Sequence, residues 1–151
     1  MRNIKYIVVH CTATPQNTTI DSILRFWKDV RKWHAPGYHY VVKPDGEIVQ
    51  LLDEKLISNG AFGHNPECVH IAYIGGIDKD GKPLDNRTER QKHSLFDKLV
   101  ELSERYPQAR ILGHRDFPNV AKACPSFDVK SWLASYTPDL SDRNHDIGLA
   151  A

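Results

Sequence analysis

Ile4-Lys5-Tyr6-Ile7-Val8-Val9-His10 is short, mostly apolar and rich in β-branched and aromatic side chains. Apolar residues in succession, rather than in alternation, describe a strand buried on both faces. The strand closes on a histidine. A polar ring at the carboxyl end of an interior strand, followed by the polar loop Cys11-Thr12-Ala13-Thr14-Pro15, lies where sheet proteins place functional groups. The alternative is a strand-end imidazole hydrogen-bonded to a neighbouring carbonyl. Side chains alternate along an extended segment, so His10 and Cys11 are expected to face opposite ways, with Cys11 in packing.

Outward from this strand, Thr18 to Trp33 reads as a helix. Thr18 can cap it, Asp21 follows three residues later, and Ile20, Ile23, Leu24, Trp27 and Val30 keep helical spacing ahead of Pro36 and Gly37. Gly37 to Lys43 and Glu47 to Leu52 flank the turn Pro44-Asp45-Gly46 and predict a hairpin, with Tyr38 and Tyr40 on one face and His39 on the other. Asp53 to Glu67 is irregular. Its segment Ser58-Asn59-Gly60-Ala61-Phe62-Gly63-His64-Asn65-Pro66 suits either a groove wall or a surface connection. Cys68 to Ile74 reads as a second interior strand, and His70 within it as a core imidazole satisfied by hydrogen bonds rather than a ligand.

Thr88-Glu89-Arg90-Gln91 matches a capping box and opens the longest helix, with Leu95, Leu99, Leu102 and Tyr106 in one stripe before Pro107. Arg110-Ile111-Leu112 is a short strand, and Asp128 to Tyr136 a final amphipathic helix. Between them lies Gly113-His114-Arg115-Asp116-Phe117-Pro118-Asn119-Val120-Ala121-Lys122-Ala123-Cys124-Pro125-Ser126-Phe127-Asp128. Its prolines can fold His114 and Cys124 back onto one ion, which is half of a metal site. Mixed nitrogen and sulfur ligation suits zinc, and a catalytic zinc takes a third protein ligand and keeps one open position. That third donor has to come from elsewhere in the chain; the competing reading of Cys124 is a small buried hydrophobe.

A chain of 151 residues suits one domain with its own core. Its 20 Lys and Arg against 19 Asp and Glu give +1, which excludes a strong field for nucleic acid or anionic lipid. Three cysteines without a CxxC spacing favour synthesis in a reducing compartment. Met1 to His10 lacks the features of a signal peptide, and no stretch approaches the roughly twenty apolar residues of a membrane span. The expectation is cytoplasmic synthesis. The polar stretch 137–151 is expected to be a flexible tail.

Val8-Val9-His10, Gly37-Tyr38-His39-Tyr40 and the loop Gly113 to Asp128, in this order and with Trp27, Trp33 and Ile74-Gly75-Gly76-Ile77-Asp78, resemble the zinc-dependent N-acetylmuramoyl-L-alanine amidases. The type is the one shared by phage lysis enzymes and animal peptidoglycan recognition proteins, and the small single-domain phage enzymes are the nearest in pattern. The resemblance runs from Ile4 to Tyr136. It implies an α/β fold, a single catalytic domain over residues 1–136 with a central mixed β-sheet flanked by helices, and one zinc ion at the edge of a groove for bacterial peptidoglycan. Carried over by position, it implies His10, His114 and Cys124 as zinc ligands, with Tyr38 and Lys122 as catalytic residues.

The implied reaction is hydrolysis of the amide bond between N-acetylmuramic acid and L-alanine. Zinc-bound water would supply a nucleophile at neutral pH, Lys122 a cation near the developing oxyanion, and Tyr38 a positioning hydrogen bond. Some relatives that recycle wall fragments carry Asp for this Cys and Glu for this Tyr; neither change occurs here. Two departures stand out: many relatives have a histidine where this chain has Gly60, and a small or apolar residue where it has His70. The spacer from His114 to Cys124 is also longer. His64 is the candidate replacement for the loop imidazole, and His64 and Asn65 are the expected substrate contacts.

Other readings use the same residues. One is a non-catalytic peptidoglycan-binding module; another is a wall toxin delivered by an export machine. In a third, zinc is structural and closed by Cys11, Cys68 or His39. The leading reading is a phage or prophage lysis enzyme that works as a monomer, without nucleic acid or membrane partners, on the wall after release or export.

Overall fold

The structure is a computed structural model, and it describes residues 2–136; the expected tail 137–151 lies outside the described residues. Five strands form one sheet in the order β3-β2-β4-β1-β5. They are β1 (Tyr6–Cys11), β2 (Tyr40–Val42), β3 (Ile48–Gln50), β4 (Cys68–Tyr73) and β5 (Arg110–Gly113). β1 pairs in parallel with both β4 and β5, β2 in parallel with β4, and β2 with β3 antiparallel, so the sheet is mixed. Three α-helices, α1 (Ile20–Arg25), α2 (Glu89–Arg105) and α3 (Val129–Ser135), flank it. No helix among the described residues is long and apolar enough to cross a membrane.

The alternation of β1 sorts its residues between two layers. Ile7, Val9 and Cys11 join Val69, Ile71 and Tyr73 under Leu95, Leu99 and Leu102 of α2 and Val129 of α3. Val8 instead packs with Ala61, Leu112 and Phe117 on the opposite face, where His10 also points. Cys11 therefore sits in the core, as its opposition to His10 demands. Burying a side chain the size of Leu or Ile is worth about 1.5–3 kcal/mol, so two covered faces fix the register of β1 firmly.

α2 opens on the expected capping box: Thr88 accepts from the Gln91 backbone, and the Gln91 side chain accepts from Thr88 N. The amide end of Gln91 then donates to Val42 O and Ile74 O, joining the helix start to β2 and to the residue after β4. α1 departs from expectation. Thr19, not Thr18, is the cap, accepting from Ser22 N, and after Arg25 the chain widens into a π-turn over Phe26–Val30. Ile23 and Trp27 stay buried while Val30 is 64% exposed, because the wider turn rotates later residues off the apolar face.

The strand expected from Gly37 is regular only from Tyr40, so the expected alternation fails across it. Tyr38 lies against His10 and Trp27, whereas Tyr40 packs in the α2 layer. Gly37 makes this possible. A Cβ there would lie 2.9 Å from the Trp27 indole, and its absence lets the chain cross that ring and deliver Tyr38 beyond it.

Candidate metal centre

His10, on the last full turn of pleat in β1, is 1% exposed. β5 runs beside β1 as far as the Val9–Gly113 pair, so His114, the next residue, emerges alongside His10. A short 3-10 turn over His114–Asp116 holds it, closed by Gly113 N donating to Asp116 Oδ2 at 2.8 Å. Cys124 is brought back by its own backbone: Arg115 N donates to Cys124 O at 2.8 Å. The residues after it are tied to the sheet, with Tyr73 OH donating to Pro125 O and Ser126 Oγ to Gly76 O.

These constraints place one ligand atom from each of His10, His114 and Cys124 within 4.8 Å of one another. Cys124 Sγ is 3.7 Å from His10 Nδ1, and the His10 and His114 ring centroids are 4.8 Å apart. Cys68 and His39, considered as closing donors, stand outside this group and are otherwise engaged: Cys68 Sγ donates to His64 O, and His39 Nε2 contacts Leu56 O. Cys11 also stands outside it, its thiol beside Ser126 and its backbone N–H donating to Cys124 Sγ at 3.3 Å. Three protein donors thus converge without a fourth among the described residues, the pattern of an open metal position.

The electrostatics suit a cation. Burial holds His10 well below the usual imidazole range, helped by His70, His114 and Lys122, and lowers His114 to about 4 with Lys122 and His64 contributing. Both rings are neutral at pH 7 and keep a lone pair for a ligand. The Cys124 thiol is held well above its ordinary range, first by its contact with the Cys11 sulfur and then by burial. A metal ion at this position would reverse that by stabilising the thiolate.

Tyr38 lies at 4.9 Å from the His10 ring and donates its hydroxyl hydrogen to Cys11 O at 3.2 Å. Burial, and next Cys124 and Cys11, hold its phenol well above the ordinary range, so it is a hydrogen-bond donor at neutral pH and not a base. Lys122 is exposed on the loop before Cys124, and its charge acts on His10, His114 and Cys124. His64 stacks on Phe117 at 4.1 Å with the rings 12° apart, half-buried on the same side as His114. Asn65 is turned inward, its Oδ1 accepting from Ala61 N at 2.7 Å and lying 3.0 Å from His70 Nε2.

His70 is fully buried and hydrogen-bonded, and it is not one of the three converging donors. It does touch one of them: His70 Nδ1 is 2.8 Å from His10 Nε2. Sequence reasoning missed this contact. Its trace was present in two departures, Gly60 and His70, which the fold places against each other.

The description N-acetylmuramoyl-L-alanine amidase belongs to the family that matches residues 1–127. The endolysin of Escherichia phage T7 is 37% identical over 139 residues, covering 91% of this chain and 90% of the phage protein. The endolysin of Enterobacteria phage K11 is 35% identical over 136 residues, or 89% of each chain. Among solved structures, the Ph2119 endolysin from the Thermus scotoductus bacteriophage Ph2119 is similar with a TM-score of 0.76 and 27% identity, over 89% of this chain and 84% of that one. The mixed sheet, the converging His10, His114 and Cys124, and a family match over most of the sequence lead to one statement: this chain belongs to the N-acetylmuramoyl-L-alanine amidase family.

Proposed function

We propose that this amidase is a zinc enzyme of the phage lysis type, cutting peptidoglycan between N-acetylmuramic acid and L-alanine, with His10, His114 and Cys124 as the metal ligands. The observation that carries this is the approach of two neutral imidazoles and one thiol within 4.8 Å, with no fourth protein donor among the described residues. Two nitrogens and one sulfur fit zinc better than magnesium or calcium, which prefer oxygen. Zinc held by His10, His114 and Cys124 would supply a nucleophile at neutral pH and polarise the scissile carbonyl.

The chain's own residues do the rest. Tyr38, protonated at neutral pH beside the His10 ring, gives its one hydroxyl hydrogen to Cys11 O in the free site and would turn it to the attacked group when substrate binds. Lys122, exposed beside the donors, balances the charge that grows on the carbonyl oxygen. His64, flat on Phe117, forms the groove wall next to His114, and Asn65 supports that wall from behind through Ala61. Synthesis in the cytoplasm and action on the wall as a monomer complete the reading.

Digestion of purified sacculi by the zinc-loaded protein tests it. Mass spectrometry is expected to find stem peptides with a free amino-terminal alanine, lost on chelation and restored by zinc. Tight binding to sacculi that stay intact would instead establish a binding module.

A further inference from the structure

On the reading that His10, His114 and Cys124 hold the metal, we propose that His70, seated against Gly60, is a positioning residue for that centre: with Asn65 it fixes His10 in the tautomer whose Nδ1 lone pair is free for the ion.

The hydrogen-bond directions follow from one backbone group. Ala61 N–H can only donate, and the atom it meets at 2.7 Å is the Asn65 side-chain oxygen; the opposite amide orientation would set two donors against each other. That oxygen also faces His70 Nε2 at 3.0 Å, so Nε2 carries the proton and donates. His70 has no exposed surface and sits among His39, His10 and the Gly60 backbone, where a neutral ring is favoured. A neutral ring with its proton on Nε2 has an acceptor at Nδ1. His10 Nε2, 2.8 Å away, must then be the donor. The remaining nitrogen of His10, Nδ1, is the one that faces Cys124 Sγ at 3.7 Å.

The ring of His70 is itself locked. Its backbone N–H donates to His39 Nδ1 at 3.0 Å, His39 N donates back to His70 O at 2.9 Å, and the two imidazoles lie 9° from parallel. Its other face is covered by Gly60. A Cβ at Gly60 would stand 2.5 Å from His70 Nδ1 and 2.6 Å from its Cγ. The backbone of Gly60 is not in the left-handed region, so the missing side chain serves the ring and not the turn. Gly60 and His70 are therefore a matched pair, and either changed alone spoils the chain from Asn65 to His10.

Two measurements test this together. In metal-free protein, long-range proton–nitrogen correlation spectra of the imidazoles are expected to show His10 and His70 both protonated on Nε2. Zinc competition with a chromophoric chelator is expected to show His70→Ala and Gly60→Ala binding zinc about 10- to 100-fold more weakly than the parent. His70→Gln, whose side-chain oxygen can accept from His10, is expected to recover part of that loss. Asn65→Ala combined with His70→Ala is expected to cost little more than His70→Ala alone, since both belong to one chain of hydrogen bonds. Parent-like zinc affinity in His70→Ala, or a proton on His10 Nδ1, overturns the proposal. The tautomer spectra need no variant and no metal, so they decide even if His70→Ala does not fold. A parent protein that takes up no zinc while showing the expected tautomers would sink the metal reading instead.

Discussion

His114 and His70 lie against His10 at almost the same separation, ring centroids 4.8 and 4.9 Å away, yet they stand in opposite relations to it. His114 leaves the end of β5 and offers a nitrogen to the same point as His10 and Cys124. His70 sits inside β4 with both ring nitrogens in hydrogen bonds. Both rings are pushed toward the neutral form, chiefly by burial. Neither proximity nor a lowered pKa separates a ligand from a supporting ring. What separates them is where the lone pairs go.

The largest effect should come from breaking the pair at His114. His114→Ala, like Cys124→Ser, is expected to lose stoichiometric zinc and bring peptide release to background, whereas His70→Ala weakens zinc without abolishing it. Equal loss of metal in both variants, by elemental analysis after dialysis, would erase the distinction. Lys122→Ala should keep its zinc and lower kcat about a hundred- to a thousandfold, as for the loss of an oxyanion partner. A change in KM alone would move Lys122 to substrate binding. Tyr38→Phe should also keep zinc, and lower kcat by about fivefold, the worth of one net hydrogen bond of about 1 kcal/mol. A far larger fall with an altered pH profile would make Tyr38 a proton carrier.

A separate effect concerns the stability of the metal-free protein. His114 titrates at about 4 when folded, against 6.5 for an ordinary histidine, so below pH 6.5 the unfolded chain takes up a proton that the folded one refuses. His10 and His70 are displaced in the same direction. Stability should be level above about pH 6.5 and fall as the pH drops toward 4, by about 1.4 kcal/mol per pH unit for each such ring. Urea unfolding at pH 7.5, 6 and 5 reads this directly. A level profile across that range would mean the rings are not held neutral.

Much of the frame was legible because its signals are local. Apolar runs give β1 and β4, and Thr88 with Gln91 gives the start of α2. The loop of His114 and Cys124 showed two donors from residue chemistry, while His10 joined them only through family resemblance. What was illegible depends on residues meeting across the chain. The π-turn at Phe26–Val30 accompanies Trp27 packing on Gly37, ten residues later. The split of Tyr38 from Tyr40 follows from the same contact. The pairing of Gly60 with His70 shows only when the irregular loop folds over β4, so two changes that looked independent in sequence are one in space.

X-ray absorption at the zinc edge separates an open site of three protein donors from a closed one. The open site is expected to give one sulfur at about 2.3 Å and three lighter atoms at about 2.0–2.1 Å, two of them imidazole nitrogens and one an exchangeable oxygen. A second sulfur in the shell would draw in Cys11 or Cys68 and contradict it, turning the site into a closed structural one.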